Sequence, residues 1–205
     1  AAALTGTPGA ATLFRGVTAM MRLFVAIPLP EALTDRLGQM RGGLTNARWV
    51  DPDNMHLTLR FIGEVDGRVM RDIDAELGAI SAPTFEMALA GLGTFGNGKK
   101  VNALWVGVDA PEQLTDLQHK VEKAVQRAGL PGEGRKFRPH VTIARVKGPP
   151  GNKLGDFLRA HSLFRCAPFH VDRFQLVSSQ RTPKGPVYRV EAEYPLEPDV
   201  PAPLA

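Results

Sequence analysis

The sequence predicts an α+β protein built from two similar lobes, and three observations lead there. Short β-like runs alternate with amphipathic helical runs along the chain. The order strand–helix–strand–helix–strands recurs roughly twice. Each half also holds one strand that reads His–apolar–Thr–apolar, "HLTLRF" at 56–61 and "HVTIAR" at 140–145. A chain of 205 residues, 43% hydrophobic and 22% charged, is long enough for one large domain or two small lobes with a real core.

Each element has a local reason. "MRLFVAIPLP", starting at Met21, is a short apolar strand stopped by Pro28 and Pro30. "PEALTDRLGQM" has helical spacing, with Pro30 near its start and Gly42 and Gly43 as a stop. "ARWV" leads through the turn "DPDN" into the strand "MHLTLRFIG". "VDGRVMRDIDAELGAI" puts Val69, Ile73, Leu77 and Ile80 on one helical stripe. "TFEMALAGLGTFG" and "VNALWVGV" read as strands around the turn-prone "NGKK". In "APEQLTDLQHKVEKAVQRAGL", Leu114, Leu117, Val121 and Val125 line one face, and Gly129 marks the end. Then come the strand "HVTIARV", the loop "KGPPGN", a helix over "KLGDFLRAHS", and closing strands "FHVDRFQLVSS" and "VYRVEAEYPL".

The ends read differently. Residues 1–20 lack periodicity and have no compact apolar segment after a basic start, so they read as a flexible leader or tag-like segment. Residues 21–197 form the expected two-lobed domain, and the Pro-rich 198–205 a loose tail. No apolar run approaches the roughly 20 residues that span a bilayer, so no membrane partner is expected. The single cysteine, Cys166, excludes an intramolecular disulfide and a cysteine-built metal site, and it points to a reducing compartment such as cytoplasm. A formal charge of +4 suits an anionic partner. "GRKFRPHVTIAR" gathers Arg135, Lys136, Arg138 and Arg145 around the second motif.

Alternation in a strand sends His56 and Thr58 to one face and Leu57 and Leu59 to the other. His140 and Thr142 repeat this above Val141 and Ile143. Two imidazoles and two hydroxyls in one cleft suit a phosphodiester. A neutral ring takes a proton from water, a charged ring protonates the leaving alkoxide, and hydroxyls donate to the non-bridging oxygens. Such a set requires no metal or other cofactor. Five histidines and twelve threonines give about 0.3 His-x-Thr by chance, so a doubled copy in apolar strands favours catalysis over two solvated histidines. A metal site lacks supporting ligands: there is no H-E-x-x-H, and Asp51 and Asp53 sit in a Pro-containing turn. His119, His161 and His170 have no repeated context.

"MRLFVAIPLP", "DPDNMHLTLRFIGEV", "FRPHVTIARV" and "LVSSQRTPKGPVYRVEAEYPL" resemble the LigT-like RNA 2′,3′-cyclic phosphodiesterases of the two-histidine phosphoesterase superfamily. The resemblance runs from Met21 to Leu196. It implies a bilobal α+β fold whose antiparallel sheets, with flanking helices, face a central cleft. It also implies opening of an RNA-terminal 2′,3′-cyclic phosphate to a 2′-phosphomonoester, without metal. His56 takes the proton-donor role, His140 the proton-acceptor role, and Thr58 and Thr142 match phosphate-contacting threonines. Arg145 matches a position the family often fills with Arg. Strict alternation turns it away from His140, so a bulge or a strand end must bring it in. Arg60 shares the face of His56, where it either reaches a phosphate or pairs with solvent at the rim. Phe137 and Trp49 either stack on a base or pack in the core. Ser178 and Ser179 stand where the family usually shows an Arg-Ser pair. The expected partners are RNA ends or nucleotides bearing a 2′,3′-cyclic phosphate, taken by a monomer. Two other readings stay open: a 2′–5′ RNA ligase, phosphodiesterase or hydrolase of a small cyclic-phosphate nucleotide, and a basic RNA-binding module without turnover.

Overall fold

The structure, a computed structural model, describes residues 20–97, 100–147, 149, 152–183 and 185–198. The expected leader over 1–19 and the expected tail from 199 onward lie outside the described residues.

The elements follow in the order β1 (Met21–Pro28), α1 (Glu31–Gln39), β2 (Ala47–Trp49), a 3-10 turn (Pro52–Asn54), β3 (His56–Val65), α2 (Gly67–Gly78), β4 (Phe85–Asn97) and β5 (Lys100–Asp109). After these come α3 (Glu112–Arg127), β6 (His140–Val146), α4 (Asn152–Ala160), β7 (Phe169–Val171), β8 (Arg173–Thr182) and β9 (Gly185–Pro195). The α+β expectation holds, with antiparallel pairing between all these strands. Their order is β7-β4-β5-β6-β3-β1-β8-β9, and β2 pairs beside β6. Four described strands, β3, β1, β8 and β9, form one lobe and five, β7, β4, β5, β6 and β2, the other. The two meet where Leu57 of β3 pairs with Val141 of β6. The lobes therefore share one curled sheet, joined at their motif strands.

The lobes are not simply the two halves of the chain. β1 and β3 are completed by β8 and β9, which return from the C-terminal end. "FHVDRFQLVSS", expected as one strand, is cut at Asp172: β7 pairs with β4 on one lobe and β8 with β1 on the other. The break falls at two consecutive exposed residues, Asp172 and Arg173, where alternation fails. The Asp172 carbonyl accepts from Leu196 N–H at 2.7 Å, which ties the crossing to the end of β9.

Burial follows the expected stripes. Leu114, Leu117, Val121 and Val125 of α3 are fully buried. On α2 the stripe is Met70, Ile73 and Leu77, with Val69 only partly covered. Asp66 caps α2, its Oδ1 accepting from Arg68 and Val69 N–H at 2.9 Å each. Tyr194 of β9 donates to Asp74 Oδ1 at 2.6 Å and joins that strand to α2. Beneath the motifs, Leu57, Leu59, Val141 and Ile143 all sit in the core. Each such side chain contributes about 1.5–3 kcal/mol through burial, which holds the opposite face of each strand toward the cleft.

Candidate active site

The joint between the lobes sets the site. Continuing the antiparallel register from Leu57 and Val141 puts His56 across from Thr142, and Thr58 across from His140. All four line one cleft of about 1090 Å³. Folding thus brings together two stretches that lie far apart in sequence, with their His–Thr pairs head to tail.

Each imidazole is held in the same way. His56 Nδ1 donates to the Asn54 carbonyl at 2.8 Å, and His140 Nδ1 donates to the Arg138 carbonyl at 2.7 Å. A carbonyl only accepts, so the proton is fixed on Nδ1 and Nε2 is the nitrogen that can exchange a proton. Aromatic rings complete both seats. Phe24 stacks on His56 at 4.7 Å between centroids and Tyr188 meets it edge-on at 5.3 Å. Phe95 meets His140 edge-on at 4.6 Å, with Trp105 beyond at 6.3 Å. These four residues arrive from β1, β9, β4 and β5. No pattern within the motifs announces them.

Dehydration by these walls lowers both imidazole pKa values. Burial pulls His56 down to about 4, against the pull of the Asn54 carbonyl, and His140 and Arg145 add repulsion. Burial also lowers His140, against the Arg138 carbonyl and with help from Arg145. A bound anion opposes the shift, since its charge favours the protonated ring.

The arginines depart from simple alternation, and β-bulges are the reason. Between β1 and β3, Ala26 pairs with Thr58 and Val25 with Arg60, so Leu59 is an extra residue. Between β5 and β6, Trp105 pairs with Thr142 and Leu104 with Ala144, so Ile143 is extra. The two bulges fall at the same place in the two motifs. Beyond each, the faces swap: Arg60 and Ala144 turn inward, while Phe61 and Arg145 turn outward. Arg145 thereby joins the face of His140 and lines the cleft.

Arg60 turns to the buried side beyond the bulge while still bordering the cleft, which corrects the expectation that it pairs with solvent at the rim. It is 8% exposed, and its Nε pairs with Glu122 Oε2 at 2.7 Å. Phe137 and Trp49 pack against the core while also bordering the cleft, and Trp49 lies 5.6 Å from Phe157 of α4. Ser178 donates to Glu191 Oε1 at 2.6 Å. His170 pairs with Glu86, and His161 lies against Phe157. Among the described residues, no cluster of three or more His, Cys, Asp or Glu could hold a metal ion, and no helix is long and apolar enough to cross a membrane.

A family model of the 2′-5′ RNA ligase superfamily matches residues 29–183. An RNA 2′,3′-cyclic phosphodiesterase of Thermotoga maritima is 34% identical over 186 residues, covering 86% of this chain and 96% of that protein. The one from Methanothermobacter thermautotrophicus is 31% identical over 175 residues, covering 82% and 95%. A crystal structure of a Thermus thermophilus protein superposes with a TM-score of 0.72 at 29% identity, covering 88% of this chain and all of that one. Apo LigT of E. coli gives 0.69 at 25% identity, over 87% and 98%. Doubled motif, shared fold and similarity along most of the length agree, and the chain belongs to the 2′-5′ RNA ligase superfamily.

Proposed function

We propose that this protein hydrolyses RNA-terminal 2′,3′-cyclic phosphates to 2′-phosphomonoesters by acid–base catalysis between two histidines. The observation that carries the reading is the matched pair of Nδ1–H···O=C bonds on two cleft-lining rings, which leaves Nε2 of each free to exchange a proton. The names of the relatives support the same substrate.

His140 Nε2 takes a proton from water as its oxygen bonds to phosphorus. The P–O3′ bond breaks in line, and His56 Nε2 gives its proton to the departing oxygen. Solvent then returns the rings to their starting states. Each transfer contributes about 10²–10⁴ in rate. Thr58 and Thr142 donate to the non-bridging oxygens, and Arg145 offsets the charge that builds there. Burial disfavours the charged form of His56 that this step needs, so the substrate's own negative charge raises its pKa and loads the acid.

The test is product analysis with a 2′,3′-cyclic-phosphate RNA, with and without EDTA. The expected result is a 2′-phosphate, undiminished by chelator, and folded but inactive His56→Ala and His140→Ala. Sulfur in place of the 3′ oxygen leaves without acid, so it rescues His56→Ala and not His140→Ala. Rescue of the opposite variant would exchange the two roles. Full activity of either variant on the oxygen substrate would end the proposal.

A second reading follows from the family's description. A 5′-hydroxyl in the place of water would form a 2′–5′ linkage through the same two rings. Adding a 5′-hydroxyl RNA and looking for the joined product separates it from hydrolysis. A module that only binds RNA would retain salt-sensitive affinity and give no product at all.

A further inference from the structure

Arg60 belongs to the first motif strand, yet its contacts run toward the second motif. Besides the pair with Glu122 of α3, its Nη1 lies 3.6 Å from Glu133 Oε2 and its Nη2 donates to the Pro131 carbonyl at 2.7 Å. Nη1 also donates to the Phe61 carbonyl at 2.8 Å. Glu122 uses its other oxygen to accept from Glu133 N–H and from Gln126 Nε2, both at 2.8 Å. Glu133 is further held by Arg135, at 3.0 and 3.1 Å. The loop over 131–139 is thus fastened at its start. It then runs into β6, and the Arg138 carbonyl accepts from His140 Nδ1.

Stability alone gives a poor account of this arrangement. A buried ion pair is often replaceable by apolar residues of similar volume without loss. The fold itself carries the simpler solution at the matching position: beyond the second bulge stands Ala144, fully buried. An arginine on the first strand is needed only where something beyond that strand, here Glu122 of α3 and the loop that precedes β6, must be reached.

We propose that Arg60 is a positioning residue for the reaction: through the 131–139 loop it sets the Arg138 carbonyl that fixes the tautomer and aim of His140. It acts on His140 and not on the phosphate. The proposal rests on the acid–base reading of His140 given above. The groups acting on that ring are the Arg138 carbonyl on its loop, the charge of Arg145 on β6 and His56 on β3. Among the described residues of β4 and β5, the rings of Phe95 and Trp105 lie against it.

The experiment is the pH profile of kcat and kcat/KM on a 2′,3′-cyclic mononucleotide for wild type, Arg60→Met and Arg60→Lys. Circular dichroism scores the folded fraction. Arg60→Met/Glu122→Met removes both charges and serves where the single change unfolds the chain. Loss of aim lowers kcat by about 10- to 100-fold with KM within about threefold. The Arg138 carbonyl favours the protonated ring, so losing it moves the limb set by His140 to lower pH. Lysine recovers part of kcat, since its ammonium reaches Glu122 but cannot fork to Pro131 and Phe61. Wild-type kcat and an unmoved limb in a folded variant would overturn the proposal. So would a loss that merely tracks the unfolded fraction. Turnover by His140→Ala would overturn the reading of His140 as well, whereas an unmoved limb in the Arg60 variants overturns this inference alone.

Discussion

Replacing His56 with glutamine measures what the fold gives up to keep an imidazole dehydrated beside the cleft. Burial takes its pKa from 6.5 to about 4. Between those values the unfolded chain binds a proton that the folded chain refuses. Stability therefore rises with pH across this window and is lost as pH falls from 6.5 toward 4. Linkage through this one ring gives about 2 kcal/mol less stability at pH 5 than at pH 8, and about 3 kcal/mol less below pH 4. Glutamine does not titrate, while the lowered His140 contributes to both proteins in the same direction and largely cancels. Urea unfolding at pH 8 and pH 5, at fixed ionic strength, reads the difference directly. Wild type should lose about 2 kcal/mol more than His56→Gln over that interval. Equal losses would refute the claim that the ring is held uncharged by burial.

Arg145→Gln should lower kcat/KM on a cyclic phosphate by about 10- to 100-fold, the worth of a charged hydrogen bond. Because Arg145 depresses both imidazoles, the same variant should move the histidine limbs of the pH profile upward, as steady-state kinetics would read. Asp66→Ala removes the cap of α2 and should cost about 1 kcal/mol in thermal melting while kinetics stay at the wild-type level. Gly93→Ala should impair both stability and turnover. A Cβ there would stand 2.3 Å from the Trp105 ring, which borders His140; the expected cost is about 1–3 kcal/mol, with a fall in kcat.

The face that His56, Thr58, His140 and Thr142 share was readable because a strand has a period of two and the apolar residues between them need a core. Helix positions were readable for the same kind of reason, as Leu114 through Val125 illustrate. What failed was counting beyond the fourth residue of each motif. A bulge inserts one residue and reverses every later face, and nothing in "HLTLRF" distinguishes Leu59 from an ordinary strand residue. Hence Arg60 and Arg145 exchanged places relative to strict alternation. The cut at Asp172 was hidden for another reason: "FHV" and "RFQLVSS" are each good strands, and only pairing partners on different lobes separate them. Phe24, Phe95, Trp105 and Tyr188 were invisible as neighbours of the imidazoles because distant strands deliver them.

The return of β8 and β9 to the first lobe has a consequence for how the chain is made. Until Arg173 and the residues after it leave the ribosome, β1 lacks the neighbour that covers Leu23 to Ala26 along one side. An unfinished chain carries a bare row of main-chain donors and acceptors beside an apolar surface, open to pairing with another nascent copy. The lobe of β4, β5, β6 and β7 is drawn from one stretch between Phe85 and Val171, whereas that of β1 and β3 waits for β8 and β9. A chain stopped before Arg173 therefore leaves one lobe uncovered beside a nearly whole one.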